Sequence, residues 1–132
     1  MRDLTNIRKV DAISFLKALD NAKYTNKRIK INVHIFNLVE YLKMDTYLSI
    51  DGLSGYSIKK DGEIVSLFST VKRRGNKLIN DAIKNGGNKL NCFEGYLTNF
   101  YKKAGFVVYD TQSNWNGENC PKVAFMKLKL DK

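Results

Sequence analysis

Apolar positions in the first part of the chain fall at helical spacing. Ala12, Phe15, Leu16 and Leu19 recur every three or four residues after Asp11, whose carboxylate suits the positive end of a helix. The polar run NAKYTNKRIK follows, and then Val33, Phe36, Leu38, Val39 and Leu42 predict a second helix from about Asn32 to Met44. The rhythm changes at TYLSIDGLSGYSIKKDGEIVSLFST, which is rich in Tyr, Ile, Val and Phe and broken by Gly, as strands are. Within it, Lys60-Asp61-Gly62 marks a hairpin, because a glycine after Asp accepts the positive φ of a tight turn. A basic loop then opens a helix whose inner face is Leu78, Ile79, Ala82 and Ile83 and whose end is Gly86-Gly87. Lys89 to Phe93 reads as a short strand, Tyr96 to Ala104 as a helix closed by Gly105, and Phe106 to Tyr109 as a strand. After the polar loop DTQSNWNGENCPK comes a last strand from Val123 to Leu130, with Val123, Phe125 and Lys127 alternating with Ala124, Met126 and Leu128.

The order is two N-terminal helices, an antiparallel meander, then strand, helix, strand, helix, strand, strand. That is an α/β layout on a mixed sheet. With 132 residues, 43% hydrophobic content, no repeat and a single proline, Pro121, one domain spanning 1–132 is expected. No apolar run approaches the roughly 18 residues of a membrane span, so the expectation is a soluble, cytoplasmic protein with no membrane partner. Two cysteines, Cys92 and Cys120, and one histidine, His34, suggest neither a disulfide framework nor a metal site.

The charge adds a functional direction. Twenty-three Lys and Arg against 13 Asp and Glu give +10, which favours anionic partners. Lys72, Arg73, Arg74 and Lys77 crowd the predicted start of a helix, where unpaired N–H groups and the helix dipole already present positive charge. Such an end is a phosphate cradle; a basic loop in solvent with no ligand is the alternative.

This strand, basic loop and helix, followed downstream by Phe100-Tyr101-Lys-Lys-Ala-Gly105-Phe106, resembles the GNAT N-acetyltransferase superfamily. That family's loop has the form Arg/Gln-x-x-Gly-x-Gly/Ala. Anchored on Leu78, its second glycine falls on Gly75, its first on Arg73 and its leading Arg or Gln on Thr70. From Gly55 to Leu130 the chain is most similar to small GNAT-like proteins encoded by phages, through Leu90-Asn-Cys92-Phe93-Glu94-Gly95, Trp115 and Val123-Ala-Phe125-Met126. A phage origin would place the protein in the host cytoplasm.

The resemblance implies acetyl-CoA as co-substrate, its pantetheine along Ile64 to Ser69 and Asn88 to Phe93. Cofactor-binding positions would be Phe68, Ser69, Val71, Arg73, Arg74, Gly75, Asn76, Lys77 and Leu78, with the pyrophosphate on the amides of Arg73 to Leu78. Tyr101 would serve as acid to the departing thiolate, or is a boundary aromatic of its helix. Glu94 suits either a helix cap or a base, and Glu63, beside the hairpin, is the rival base. Trp115 would bind substrate as a lid or stacking platform, or plug the sheet. The acceptor would be an amine of a small molecule, a protein lysine or a nucleobase. The alternative is a repurposed fold binding an anionic partner, nucleic acid or a host protein, including a role in DNA modification.

Overall fold

The computed structural model describes residues 3–114 and 121–129. Its elements are β1 (Ile7–Val10), α1 (Ala12–Thr25), α2 (Lys27–Asn32), α3 (Leu38–Leu42), β2 (Asp45–Ser49), β3 (Ser54–Ile58), β4 (Ile64–Ser69), α4 (Gly75–Lys84), β5 (Lys89–Phe93), α5 (Tyr96–Lys103), β6 (Phe106–Gln112) and β7 (Val123–Leu128). The α/β layout is the expected one. Its strands lie in two sheets, antiparallel throughout among the described residues, in the orders β1-β2-β3-β4 and β5-β7-β6. The chain divides into two compact units, one ending at Gly87 and the other beginning at Asn88.

In the first unit, Asp11 starts α1 by accepting the Ser14 N–H at 2.7 Å. The apolar stripe of α1 then buries Ala12, Phe15, Leu19 and Ala22 with Ile29, Tyr41, Leu48 and Phe68. Phe15 meets Phe68 edge-on, with ring centroids 5.9 Å apart, and each such buried side chain contributes about 2 kcal/mol. On the opposite face of the sheet lies α4, which buries Leu78, Ile79 and Ala82. The Tyr56 hydroxyl donates to Asp81 at 2.5 Å and accepts from the Asn85 amide at 2.9 Å, and its ring stacks on Tyr47.

A bulge in β4 lets one strand serve both faces. Gly55 pairs with Phe68 but Ser57 with Val65, so β4 carries one extra residue there, and Ser66 takes a left-handed φ of 53°. Ile64, before the bulge, lies against Gly87 at the end of α4; Phe68, after it, enters the α1 core. Hydrogen bonds hold Ser66 in this unusual conformation: its hydroxyl donates to the His34 carbonyl at 2.8 Å and accepts from Tyr41 at 2.7 Å. Tyr41 in turn accepts the Phe36 N–H at 3.1 Å.

Those bonds explain a correction. The periodicity predicted one helix from Asn32 to Met44, but residues 33–37 are irregular and only Leu38–Leu42 is helical. Val33 leaves α2 in an extended conformation, and Asn37 begins α3 by accepting the Glu40 N–H. The polar run before it hides α2, started by Asn26, which accepts the Ile29 N–H. The sequence pattern also missed β1, an edge strand too short to show an alternating pattern, with Ile7 and Val10 half-buried.

In the second unit, β7 is central and α5 packs against β5 and β6. Leu90, Phe106, Ala124 and Met126 are buried with Tyr101 and Thr98 of α5. The final strand ends at Leu128, and β6 extends past Tyr109 to Gln112 through a bulge between Val108 and Asp110.

Gly55 tests the tight pairing of β2 with β3. A Cβ there would sit 2.3 Å from the Tyr47 carbonyl oxygen and 2.8 Å from Leu48, in the middle of a sheet that cannot yield. Gly55→Ala should cost about 3 kcal/mol, read as a lowered midpoint in urea unfolding; an unchanged midpoint would show that the strands separate at no cost.

Candidate active site

The loop from Thr70 to Arg74 joins β4 to α4 and is fastened at both ends. At its start, Thr70 donates its N–H and hydroxyl to the Leu53 carbonyl at 2.9 and 3.1 Å, and the Ser69 hydroxyl donates to the Val71 carbonyl at 2.5 Å. At its end, the Arg74 guanidinium grips Asp51 with two hydrogen bonds of 3.0 and 2.6 Å and reaches the Ser54 hydroxyl at 3.2 Å. Both partners of this ion pair are mostly buried, at 13% and 15% side-chain exposure. Asp51 also accepts the Ser49 hydroxyl and the Leu53 N–H. Hydrogen bonds from Arg74 hold the Asp51 carboxyl far below the usual carboxylate range, against the opposing effect of its burial.

Arg74 is therefore a fixed strut and its charge is neutralised locally. Lys77 is half committed: its ammonium donates to the Thr5 hydroxyl at 2.7 Å and lies 3.5 Å from Asp3. Lys72 and Arg73 remain exposed. Arg73 has a left-handed φ of 69°, the conformation that glycine adopts most readily, at the position where the resembling loop motif carries glycine. α4 then begins at Gly75 with Arg74 as its N-cap and no side-chain cap bond. The first-turn amides of Gly75, Asn76 and Lys77 have no acceptor within the helix, so they are open to water or to an anion. Val71 is exposed, whereas Leu78 and Phe68 are buried in the core, and the Leu78 N–H is already spent on the Arg74 carbonyl at 3.0 Å, so of these three predicted cofactor contacts only Val71 is open to a ligand.

Beside the loop is a depression of about 460 Å³, lined by Thr25 to Ile29 and by Ser69 to Lys72. This junction of the α1–α2 corner with the loop was not legible in the sequence, which places Ile29 and Ser69 forty positions apart. Glu63 stands at the opposite end of β4, where it pairs with Lys59 at 3.7 Å and donates its own N–H to Asp61. At about 3.3 Å per residue, β4 carries it some 20 Å from the loop.

In the second unit, Tyr101 is 8% exposed, its ring edge-on to Phe100 and Phe106. Its hydroxyl makes no hydrogen bond among the described residues, and burial, with a lesser contribution from Cys92, pushes its pKa well above that of a free phenol. Cys92 is half-buried, and burial followed by the Glu94 carboxylate pushes its thiol up to about 11. The thiol is thus protonated and unreactive at neutral pH. Glu94 is exposed and does not cap α5: Gly95 is the N-cap, and Thr98 exchanges hydrogen bonds of 3.2 and 2.8 Å with its backbone. Trp115 lies outside the described residues. Among the described residues no group of His, Cys, Asp or Glu could hold a metal, and no helix is long and apolar enough to cross a membrane.

No family model matches the sequence, and no curated protein does. Solved structures match nearly end to end. A GNAT-family acetyltransferase from Streptococcus pneumoniae aligns over 92% of this chain and 96% of its own at TM-score 0.62 and 16% identity. The chain has the GNAT acetyltransferase fold. The aminoglycoside 6'-N-acetyltransferase from Enterococcus faecium aligns over 96% and 98% at TM-score 0.62 and 14% identity. A Bacillus subtilis acetyltransferase in complex with CoA aligns over 96% and 99% at TM-score 0.55 and 14% identity. At these identities the likeness is one of fold.

Two measurements check the loop. Asp51→Asn should cost about 2 kcal/mol at pH 7 by leaving the mostly buried Arg74 unpaired. Because the folded carboxyl has a depressed pKa, its contribution is complete above the unfolded value of about 3.9 and is lost as pH falls through the folded value. Acid unfolding should therefore be less steep in Asp51→Asn; equal steepness would exclude the pair as a stabilising contact. Arg73→Gly should leave the melting temperature within a few degrees, while Arg73→Val, β-branched at positive φ, should lower it by more; equal effects would mean the loop does not hold this conformation in solution.

Proposed function

We propose that the protein is an acetyl-CoA-dependent N-acetyltransferase acting by direct attack of an amine on the thioester. The observation that carries this reading is the fastened loop and uncapped start of α4, with Arg73 in the glycine conformation, in a fold shared with acetyltransferases. The amides of Gly75 to Lys77 would receive pyrophosphate oxygens, with Lys72 and Arg73 as mobile counter-charges. Arg74 acts here as a positioning residue, since its guanidinium is spent on Asp51.

In the reaction, the amine nitrogen bonds to the thioester carbonyl carbon, the carbon–sulfur bond breaks, and its electron pair leaves on sulfur. Tyr101 is assigned to the thiolate. A buried phenol with a raised pKa stays protonated at neutral pH. A thiol, ordinarily near 8.5, is the stronger acid, so the phenol steadies the thiolate by a hydrogen bond more than by handing over its proton. The amine proton goes to a carboxylate. Glu94, exposed beside Cys92, is preferred to Glu63, which pairs with Lys59. The acceptor is an amine on a small molecule, a protein lysine or a nucleobase. The whole chain acts as one catalytic domain in this reading.

Calorimetric titration with acetyl-CoA should give a dissociation constant of millimolar or tighter, weakened at least tenfold by Gly75→Trp; no binding by the unaltered protein would overturn the assignment. Tyr101→Phe should keep that affinity and slow acetyl transfer about 100-fold, and an unchanged rate would remove Tyr101 from the reaction. Glu94→Gln should slow transfer more than Glu63→Gln; the reverse would move the base to β4.

A further inference from the structure

The corner formed by α1 and α2 carries a concentration of charge that neither the core nor the loop chemistry uses. From Lys17 to Lys30 the chain has five cations and one carboxylate, Asp20. Lys23 is turned inward and donates to the Val33 carbonyl. The remaining four, Lys17, Lys27, Arg28 and Lys30, are exposed, and none pairs with a carboxylate among the described residues.

Two depressions join these cations into a strip. One, of about 540 Å³, is lined by Lys17, Tyr24 and Lys30 together with Asp20, Asn21 and Lys23. The other is the depression beside the loop, which adds Lys27, Arg28 and Lys72. Lys30 lines the first and Lys27 the second. Being three residues apart on α2, they are neighbours on the helix surface, so the two depressions border the same stretch of that helix. Like charges at this spacing repel and weaken α2, an effect that an anion laid along the strip would reverse.

Tyr24 gives the strip its second chemical character. Its ring is 87% exposed at the end of α1, contributing nothing to the core, and it lines the same depression as Lys17 and Lys30. A free aromatic face bordered by ammonium groups fits a nucleobase stacked on the ring with its phosphates on the lysines, which is how single strands are bound without sequence readout. An acidic peptide would use the cations but leave the ring idle.

We propose that the α1–α2 corner is a binding surface for single-stranded nucleic acid, with the phosphates tracked by Lys17, Lys30, Lys27 and Lys72 and a base stacked on Tyr24. This surface borders the first-turn amides of α4 and shares Lys72 with them, but it does not depend on acetyl transfer.

Fluorescence anisotropy with a labelled 20-nucleotide oligothymidine, in the absence of acetyl-CoA, tests it. Binding at 50 mM salt should weaken steeply at 200 mM, and Lys27→Glu/Lys30→Glu should weaken it at least tenfold while reducing the salt slope by about 1.4. Tyr24→Ala should weaken oligothymidine binding about tenfold and leave the weaker binding of a duplex of equal charge unchanged. Because α2 is short, Lys17→Glu/Lys72→Glu provides a second charge reversal outside it, expected to act in the same direction, with melting curves confirming that both variants fold. No binding at 50 mM salt would overturn the proposal, as would indifference to both charge reversals. Polyglutamate binding as tightly as the oligonucleotide, or Tyr24→Ala without effect, would also overturn it in favour of an acidic protein partner.

Discussion

The Arg74–Asp51 ion pair is the constraint on which the first unit's chemistry rests. It draws the end of the β4–α4 loop down onto the β2–β3 turn with two short hydrogen bonds, largely out of water. In doing so it neutralises a cation that would otherwise oppose the dipole of α4 at its first turn. As the N-cap residue, Arg74 also leaves α4 without a side-chain cap, because a guanidinium only donates and has no atom to accept the first-turn amides. In the proposed reading, this rigidly placed, uncapped helix start flanked by exposed Lys72 and Arg73 receives the pyrophosphate. Replacing the strut by a freely moving cation would supply the same charge but not the same geometry, and positioning is what a direct transfer between two bound substrates demands.

The other end of that loop depends on the bulge at Ser66. By inserting one residue, β4 presents Ile64 to the side of α4 and Phe68 to the core beneath α1. The left-handed backbone of Ser66 is held by a chain of hydrogen bonds through Tyr41 and the irregular segment at residues 34–36. Strain at β4 and irregularity between α2 and α3 are thus one feature. It ties the segment that follows α2 to the strand that leads into the loop, and Thr25 to Ile29 share a depression with Ser69 to Lys72.

Much of the fold was legible because the physics that forms it is local. The Asp61-Gly62 hairpin, the Lys89–Phe93 strand and the helix from Tyr96 follow from turn chemistry and periodicity, and each appears at the expected residues. Legibility failed where a distant partner overrode the local pattern. Val33 and Phe36 fit a helix with Leu38 and Leu42, yet the backbone between them answers to Tyr41 and Ser66. Glu94 stands where a cap would, but the backbone turns at Gly95 and Thr98 makes the bonds.

By itself the sequence determined the alternation of helices and strands, the concentration of cations at the loop and the α1–α2 corner, and the loop and tyrosine motifs. Each of these is set by residues within a few positions of one another. Only the tertiary structure decided what the cations do. Arg74 became a strut, Lys77 a tether to Asp3 and Thr5, and Lys72 and Arg73 stayed exposed. That division turns on carboxylates and hydroxyls that are remote in the chain, as Asp51 is from Arg74. A charge's role depends on what lies opposite it, and only folding brings those groups within hydrogen-bonding distance.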